Sequence, residues 1–210
     1  MAGGRLIRPT AGRIRRALGV ASRLWLASAL LLGGAPLTAA GTDAVLVGAG
    51  DIAQCRGRAP ESSAAAATAR LLDRIEGTVF TAGDDAYDGT AVEFQNCFDP
   101  TWGRHKARTR PSPGNHEYYL DDGAPYYDYF GSNAGATDSG YYSYGLGAWH
   151  IVSLNSNIPA HAGSAQEQWL RADLATNRST CALAYWHHPR FSSGRHGDTS
   201  TIGDIWRVLY

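Results

Sequence analysis

The chain has 210 residues and balances 19 basic against 19 acidic side chains, but the balance is uneven along its length. Six arginines (Arg5, Arg8, Arg13, Arg15, Arg16 and Arg23) and no acid lie in the first forty residues, so the remainder carries 13 basic and 19 acidic residues, a net charge of about −6. That excludes the basic face of a nucleic-acid binder, and the 170 residues left suit one domain with its own core, undivided by repeats or low-complexity linkers.

The first forty residues read as an export signal. The arginines precede the apolar "LWLASALLL", and "PLTAAG" supplies small residues suited to cleavage after Ala40. The apolar stretch is shorter than a comfortable membrane span. An uncleaved anchor is the alternative, and Arg15-Arg16 leaves the export route open. The expectation is a signal peptide over 1–40 and a secreted or extracytoplasmic domain over 41–210, with no stable membrane association after cleavage.

In chain order, "AVLVGAGD" (44–51) is a continuous apolar run ending in glycine and aspartate, the pattern of a strand buried on both faces. "SSAAAATARLLDRIEG" follows with Ala64, Ala67, Leu71, Leu72 and Ile75 at helical spacing, Ser62 or Ser63 as N-cap and Gly77 as the stop. "TVFTAGD" (78–84) is a second strand, so the unit is βαβ and its strands are parallel. "TRPSPGNHE" (109–117) makes a third short strand, against which Pro111 and Pro113 argue on propensity. "YYSYGLG" and "WHIVSLNSN" form an antiparallel pair. "SAQE" (164–167) is a capping-box signature for a helix through Trp169, Leu170 and Leu174. "CALAYW" (181–186) is another buried strand, and "TIGDIWRVLY" places Ile202, Ile205, Trp206 and Leu209 on one helix face. That pattern reaches Tyr210 without a cap, as in a chain cut inside a helix.

Cys55, Cys97 and Cys181 suggest one bridge and one odd thiol in an exported chain. Cys55 and Cys97 follow the first two predicted strands and are the expected pair, with Cys181 free and buried in its strand. None has a zinc-finger spacing.

Parallel strands joined by a helix end on the same sheet edge, where open α/β sheets place their ligands. Asp51, Asp84, Asn115-His116 and His187 all stand at such ends. Carboxylate, amide oxygen and neutral imidazole together suit a pair of hard-to-borderline ions such as iron, manganese or zinc. Two ions about 3.5–4 Å apart, bridged by a carboxylate, serve in-line displacement at phosphorus; Asp84 is the natural bridge.

"GDIA", "GDDAY", "GNHE" and "YWHHPRFSSG" resemble, in that order, the motifs of the calcineurin-like metallophosphoesterases, and more narrowly those of the purple acid phosphatases and their bacterial secreted relatives. The resemblance covers about residues 45–194. It implies an α/β fold, a β-sandwich flanked by helices in αββα order. Two departures from the superfamily agree with the narrower branch: Ala53 stands where a histidine is usual, and Tyr87 stands three residues after the bridging aspartate. A phenolate favours a hard trivalent ion, so the resemblance implies Fe(III) in one site and a divalent ion (Fe, Zn or Mn) in the other.

Carried over residue by residue, Asp51, Asp84 and Tyr87 hold the first metal, and Asp84, Asn115 and His187 the second. His116 faces the phosphate as transition-state stabiliser or acid. The family's last ligand motif, Gly-His-x-His, has no match before Tyr210, so the resemblance implies a domain incomplete at its C-terminus. The implied activity is hydrolysis of small-molecule phosphate monoesters; the alternatives are a phosphodiesterase or nucleotide-directed hydrolase, or an inactive truncated domain.

The remaining residues have plainer readings. Asp85 is expected as a turn residue or helix cap, His188 as structural, and Glu117 as a group orienting its neighbours. Arg190 either reaches a substrate phosphate or pairs locally. The run "YYLDDGAPYYDYFG" is expected to pack, and His105, His150, His161 and His196 have no motif around them.

Overall fold

The computed structural model describes residues 43–210; the expected signal segment, 1–40, lies outside them. Strands β1 (Leu46–Ala49), β2 (Thr78–Ala82) and β3 (Thr109–Ser112) form one sheet in that order, and both pairings are parallel. Helix α1 (Ala64–Leu72) makes the crossover from β1 to β2. Its N-cap is Ser63, whose hydroxyl accepts the Ala66 N–H at 3.1 Å. Helix α2 (Ala91–Glu93) runs on into a π-turned segment, Phe94–Phe98, before a 3-10 segment, Trp102–Arg108, leads into β3. Pro111 is tolerated because β3 is an edge strand that pairs only with β2.

After helix α3 (Ala124–Phe130), strands β4 (Tyr142–Leu146), β5 (Trp149–Ser153) and β6 (Cys181–Tyr185) form a second sheet. β4 and β5 are antiparallel, as their patterns predict, and Gly147 turns between them at φ 60°. Helix α4 (Ala165–Thr176) crosses over to β6, which pairs in parallel with β5. Ser164 caps α4 by accepting the Glu167 N–H at 3.3 Å, while the Glu167 carboxylate reaches back to the N–H of Gly163. Helix α5 (Gly203–Leu209) closes the described chain.

The strand period of two sends alternate residues of each sheet to opposite sides. Val79 of β2 packs with Ala65, Ala69, Leu72, Phe94, Phe98, Tyr126 and Phe130 in a first core. Val152 packs with Leu154, Leu170, Ile202 and Ile205 in a second. Between the sheets, the Phe80 ring of β2 meets Tyr185 of β6 at 5.1 Å between centroids. Hydroxyls join the sheets: Tyr185 donates to the Arg110 carbonyl at 2.9 Å, Tyr142 to that of Pro111 at 2.7 Å, and Ser112 to that of Leu154 at 2.7 Å. Helices therefore cover the outer face of each sheet.

Two local expectations are corrected. The buried face of α1 is Ala65, Ala66, Ala69 and Leu72, while Leu71 is 60% exposed and Ala64 and Ala67 face outward. A run of alanines carries almost no directional signal, so the leucine that packs is the one in register with Ala65 and Ala69. Cys181 is free, but exposed instead of buried, because it begins an edge strand whose first three residues are uncovered. Cys55 and Cys97 form a disulfide, with Cα atoms 5.8 Å apart. Among the described residues no helix is long and apolar enough to cross a membrane.

Candidate metal centre

Each of the first two strands is followed directly by Gly-Asp, and each aspartate takes a left-handed backbone, φ 54° at Asp51 and at Asp84. That conformation costs an L-residue roughly 1–2 kcal/mol, least for Asp and Asn. Its appearance at two adjacent strand ends marks a site under constraint. Beyond the strands the two loops stay hydrogen-bonded, Asp51 N–H to the Gly83 carbonyl at 2.9 Å and Ile52 N–H to that of Asp84 at 2.9 Å. Asp51 and Asp84 are thereby held side by side.

The loop after β3 crosses Asp84 very closely. A Cβ on Gly83 would stand 2.6 Å from the Gly114 Cα and 2.7 Å from the His187 Cβ, and one on Gly114 would run into the Asp84 carboxylate. Glycine at both positions lets the backbones approach, which lowers Asn115 and His116 onto Asp84. Asp84 is 2% exposed; its Oδ1 accepts the His116 N–H at 3.1 Å and lies 3.5 Å from His187 Nε2, and its Oδ2 lies 3.7 Å from His116 Nε2. The Tyr87 ring packs against that of His116, centroids 4.0 Å apart and planes tilted by 40°, and its phenol lies against Asp51. All six side chains singled out at strand ends or in the motifs (Asp51, Asp84, Tyr87, Asn115, His116 and His187) thus occupy one edge of the fold.

The hydrogen bonds fix the ring tautomers. The Nδ1 of His187 faces the Ala82 carbonyl at 2.8 Å and that of His116 faces the Tyr87 carbonyl, so each ring donates from Nδ1. A neutral His187 then turns the Nε2 lone pair toward Asn115 Oδ1, 3.1 Å away, and Asp84 Oδ1. Three acceptors facing one point are satisfied by a proton or a cation, and mixed oxygen and imidazole donors fit a hard-to-borderline ion. Among the described residues no three His, Cys, Asp or Glu side chains stand close enough to hold an ion by themselves; the cluster relies on the amide and the phenol as well. Burial first, then the charges of Asp51 and Asp84, push the Tyr87 phenol up from its ordinary range. A cation among those carboxylates would act in the opposite direction.

Beneath the edge lie two fully buried carboxyl groups. Glu117, 0% exposed, accepts the N–H groups of Gly114 at 2.7 Å, Asp84 at 2.9 Å and Ala86 at 3.2 Å. Burial, and next the Asp84 charge, push its pKa up to about 7. Asp85, expected as a turn residue or cap, does lie in the bend after β2, but it is also 0% exposed. It accepts from the Thr81 hydroxyl at 3.1 Å, its Oδ1 has no partner, and burial followed by the Glu117 charge drives its pKa well up.

The outlying candidates separate cleanly. His188 is tied to Ser156, Oγ to Nδ1 at 2.8 Å. Arg190 lays its guanidinium over the Phe191 ring at 4.5 Å and lines, with His187, Trp186 and Trp206, an open cleft of about 490 Å³. Tyr126 and Tyr127 pack as expected, but Tyr119 does not: its hydroxyl accepts the Asn115 Nδ2–H at 2.9 Å and its ring lies 4.5 Å from His116. The sequence signal for it is the short turn Glu117–Tyr119, which returns a residue three or four positions on to the side of His116 and Asn115.

No family model matches the chain. Purple acid phosphatase 15 of Arabidopsis thaliana is 32% identical over 158 residues, a match covering 59% of this chain and 30% of that protein. The solved purple acid phosphatase PPD1 from yellow lupin (Lupinus luteus) seeds superposes with a TM-score of 0.59 at 16% identity, covering 78% of this chain and 35% of that one. The chain thus spans about a third of the length of each. By that superposition it has the α/β, calcineurin-like fold in which the lupin phosphatase is built.

Proposed function

We propose that this chain carries the centre of a secreted, purple-acid-phosphatase-like metallophosphoesterase that hydrolyses small-molecule phosphate monoesters. The observation that carries the reading is the meeting of Asp51, Asp84, Tyr87, Asn115 and His187 at one edge of the fold, with His187 Nε2 turned toward the oxygens of Asn115 and Asp84. The ordered motifs and the likeness to purple acid phosphatases support it. In this reading one ion takes Asp51, Asp84 and Tyr87, and the second takes Asp84, Asn115 and His187. The phenol favours Fe(III) for the first; the second is divalent. When bound, such a pair supplies charge stabilisation to a phosphate undergoing in-line displacement and lowers the pKa of the attacking water.

The chain's own residues do the rest. Asp84, buried and gripped through its backbone by Glu117, is pre-positioned between the two donor sets. His116 is oriented twice, by its Nδ1 on the Tyr87 carbonyl and by its ring against the Tyr87 phenol, so its Nε2, once it carries a second proton, is the atom that donates to a phosphate oxygen or to the leaving oxygen. The exported location agrees with the disulfide. The test is metal content by elemental analysis beside phosphate release from 4-nitrophenyl phosphate, in the wild type and in Asp84→Asn. Loss of both metals and of turnover together is expected; a variant that keeps a full pair removes Asp84 from the bridging position.

A further inference from the structure

Core packing does not account for the position of Tyr119. It ends a three-residue turn, is 61% exposed and belongs to neither apolar core. Its hydroxyl nevertheless accepts the Asn115 Nδ2–H at 2.9 Å and stands 3.5 Å from His116 Nε2, and the rings of Tyr87, His116 and Tyr119 lie in sequence at 4.0 and 4.5 Å.

An asparagine side chain can turn either its oxygen or its NH2 group inward, and only the oxygen is useful to a cation. The inward direction here holds Asp84 Oδ1 and His187 Nε2, and the outward direction holds the Tyr119 hydroxyl. A hydroxyl oxygen receives the NH2 group with a lone pair and still has its own proton to give. In its neutral form His116, whose Nδ1 proton is committed to the Tyr87 carbonyl, turns its Nε2 lone pair toward that hydroxyl, 3.5 Å away.

From this geometry we infer that Tyr119 is a positioning residue: it holds the Asn115 amide with Oδ1 facing the centre, and closes the outer side of the His116 ring. The inference rests on the proposed reading of the edge as a cation site. It requires that the phenolic oxygen, not the ring, does the orienting.

Cobalt(II) titration of the intact chain, followed by visible absorption, provides the test. Tyr119→Phe keeps the ring contact and removes the oxygen; cobalt affinity is expected to fall about tenfold with an altered band, the size typical of losing a partner behind a ligand. The thermal midpoint should stay within about 1 °C, as for an exposed position. In an Asn115→Asp background a carboxylate offers oxygen whichever way it turns, so adding Tyr119→Phe is expected to cost less than threefold. Unchanged cobalt affinity and spectrum in Tyr119→Phe, or the same loss in both backgrounds, overturns the inference while leaving the centre standing. A wild-type chain that takes up no cobalt removes the centre itself, and the inference with it.

Discussion

Glu117 reaches back from the turn after β3 to accept the backbone N–H of Asp84 at 2.9 Å, and both residues are buried. The same carboxylate holds Gly114 and Ala86, so one side chain fastens together the loops that follow β2 and β3. Each buried N–H left without an acceptor costs about 1–3 kcal/mol. Glu117→Ala is therefore expected to destabilise the fold by about 3 kcal/mol or more, and Glu117→Gln by less, since its amide oxygen still accepts. Urea denaturation followed by tryptophan fluorescence measures both.

Asp85 makes stability depend on pH in a direction that can be stated beforehand. Its folded pKa is raised, so the proton it keeps in the folded state is lost on unfolding once pH exceeds the unfolded value of about 3.9. The contribution is present in full below that pH and disappears as pH rises toward the folded pKa. Asp85→Asn mimics the protonated acid. In EDTA the variant should match the wild type near pH 4 and exceed its melting temperature by a few degrees at pH 8; a difference that does not change with pH rejects the assignment. Glu117, with a pKa of about 7, adds to the same trend.

Tyr87→Phe tests the phenol. If Tyr87 binds a trivalent iron, iron-loaded wild-type protein absorbs in the visible through phenolate-to-metal charge transfer, and the variant is expected to lose that band. Its fold should survive, because the ring still packs against His116. An unchanged spectrum takes Tyr87 out of the coordination sphere.

The Cys55–Cys97 bridge closes 42 residues of chain, from the loop after β1 to the segment after α2. Loop-closure entropy for that length is worth about 4 kcal/mol. The double Cys55→Ser, Cys97→Ser variant is expected to lose a stability of that order in denaturant, and the wild type to lose it on reduction.

What was readable in advance follows from which interactions are local. The six strands and the residues at their ends were legible, because short β-prone runs closed by glycine and an acid, amide or histidine mark strand ends; their burial was not, since β1 has no fully buried residue and the first three residues of β6 are exposed. The face of α1 was not, because Ala64 to Ala67 are interchangeable to any period and only the packing against Val79 and Phe94 distinguishes them. The burial of Asp85 is encoded by no local pattern, and the charge that adds to its raised pKa belongs to Glu117, thirty-two positions later. Tyr119 was hidden among neighbouring tyrosines, most of which do pack.

The left-handed backbone at Asp51 and Asp84 also limits what can replace them. Alanine or glutamate there brings torsional strain in addition to the altered carboxylate, so a loss in either variant mixes two causes. Asparagine tolerates the same φ and keeps the shape. It is therefore the substitution that isolates charge from geometry, and the one through which these positions can drift with the least damage to the fold.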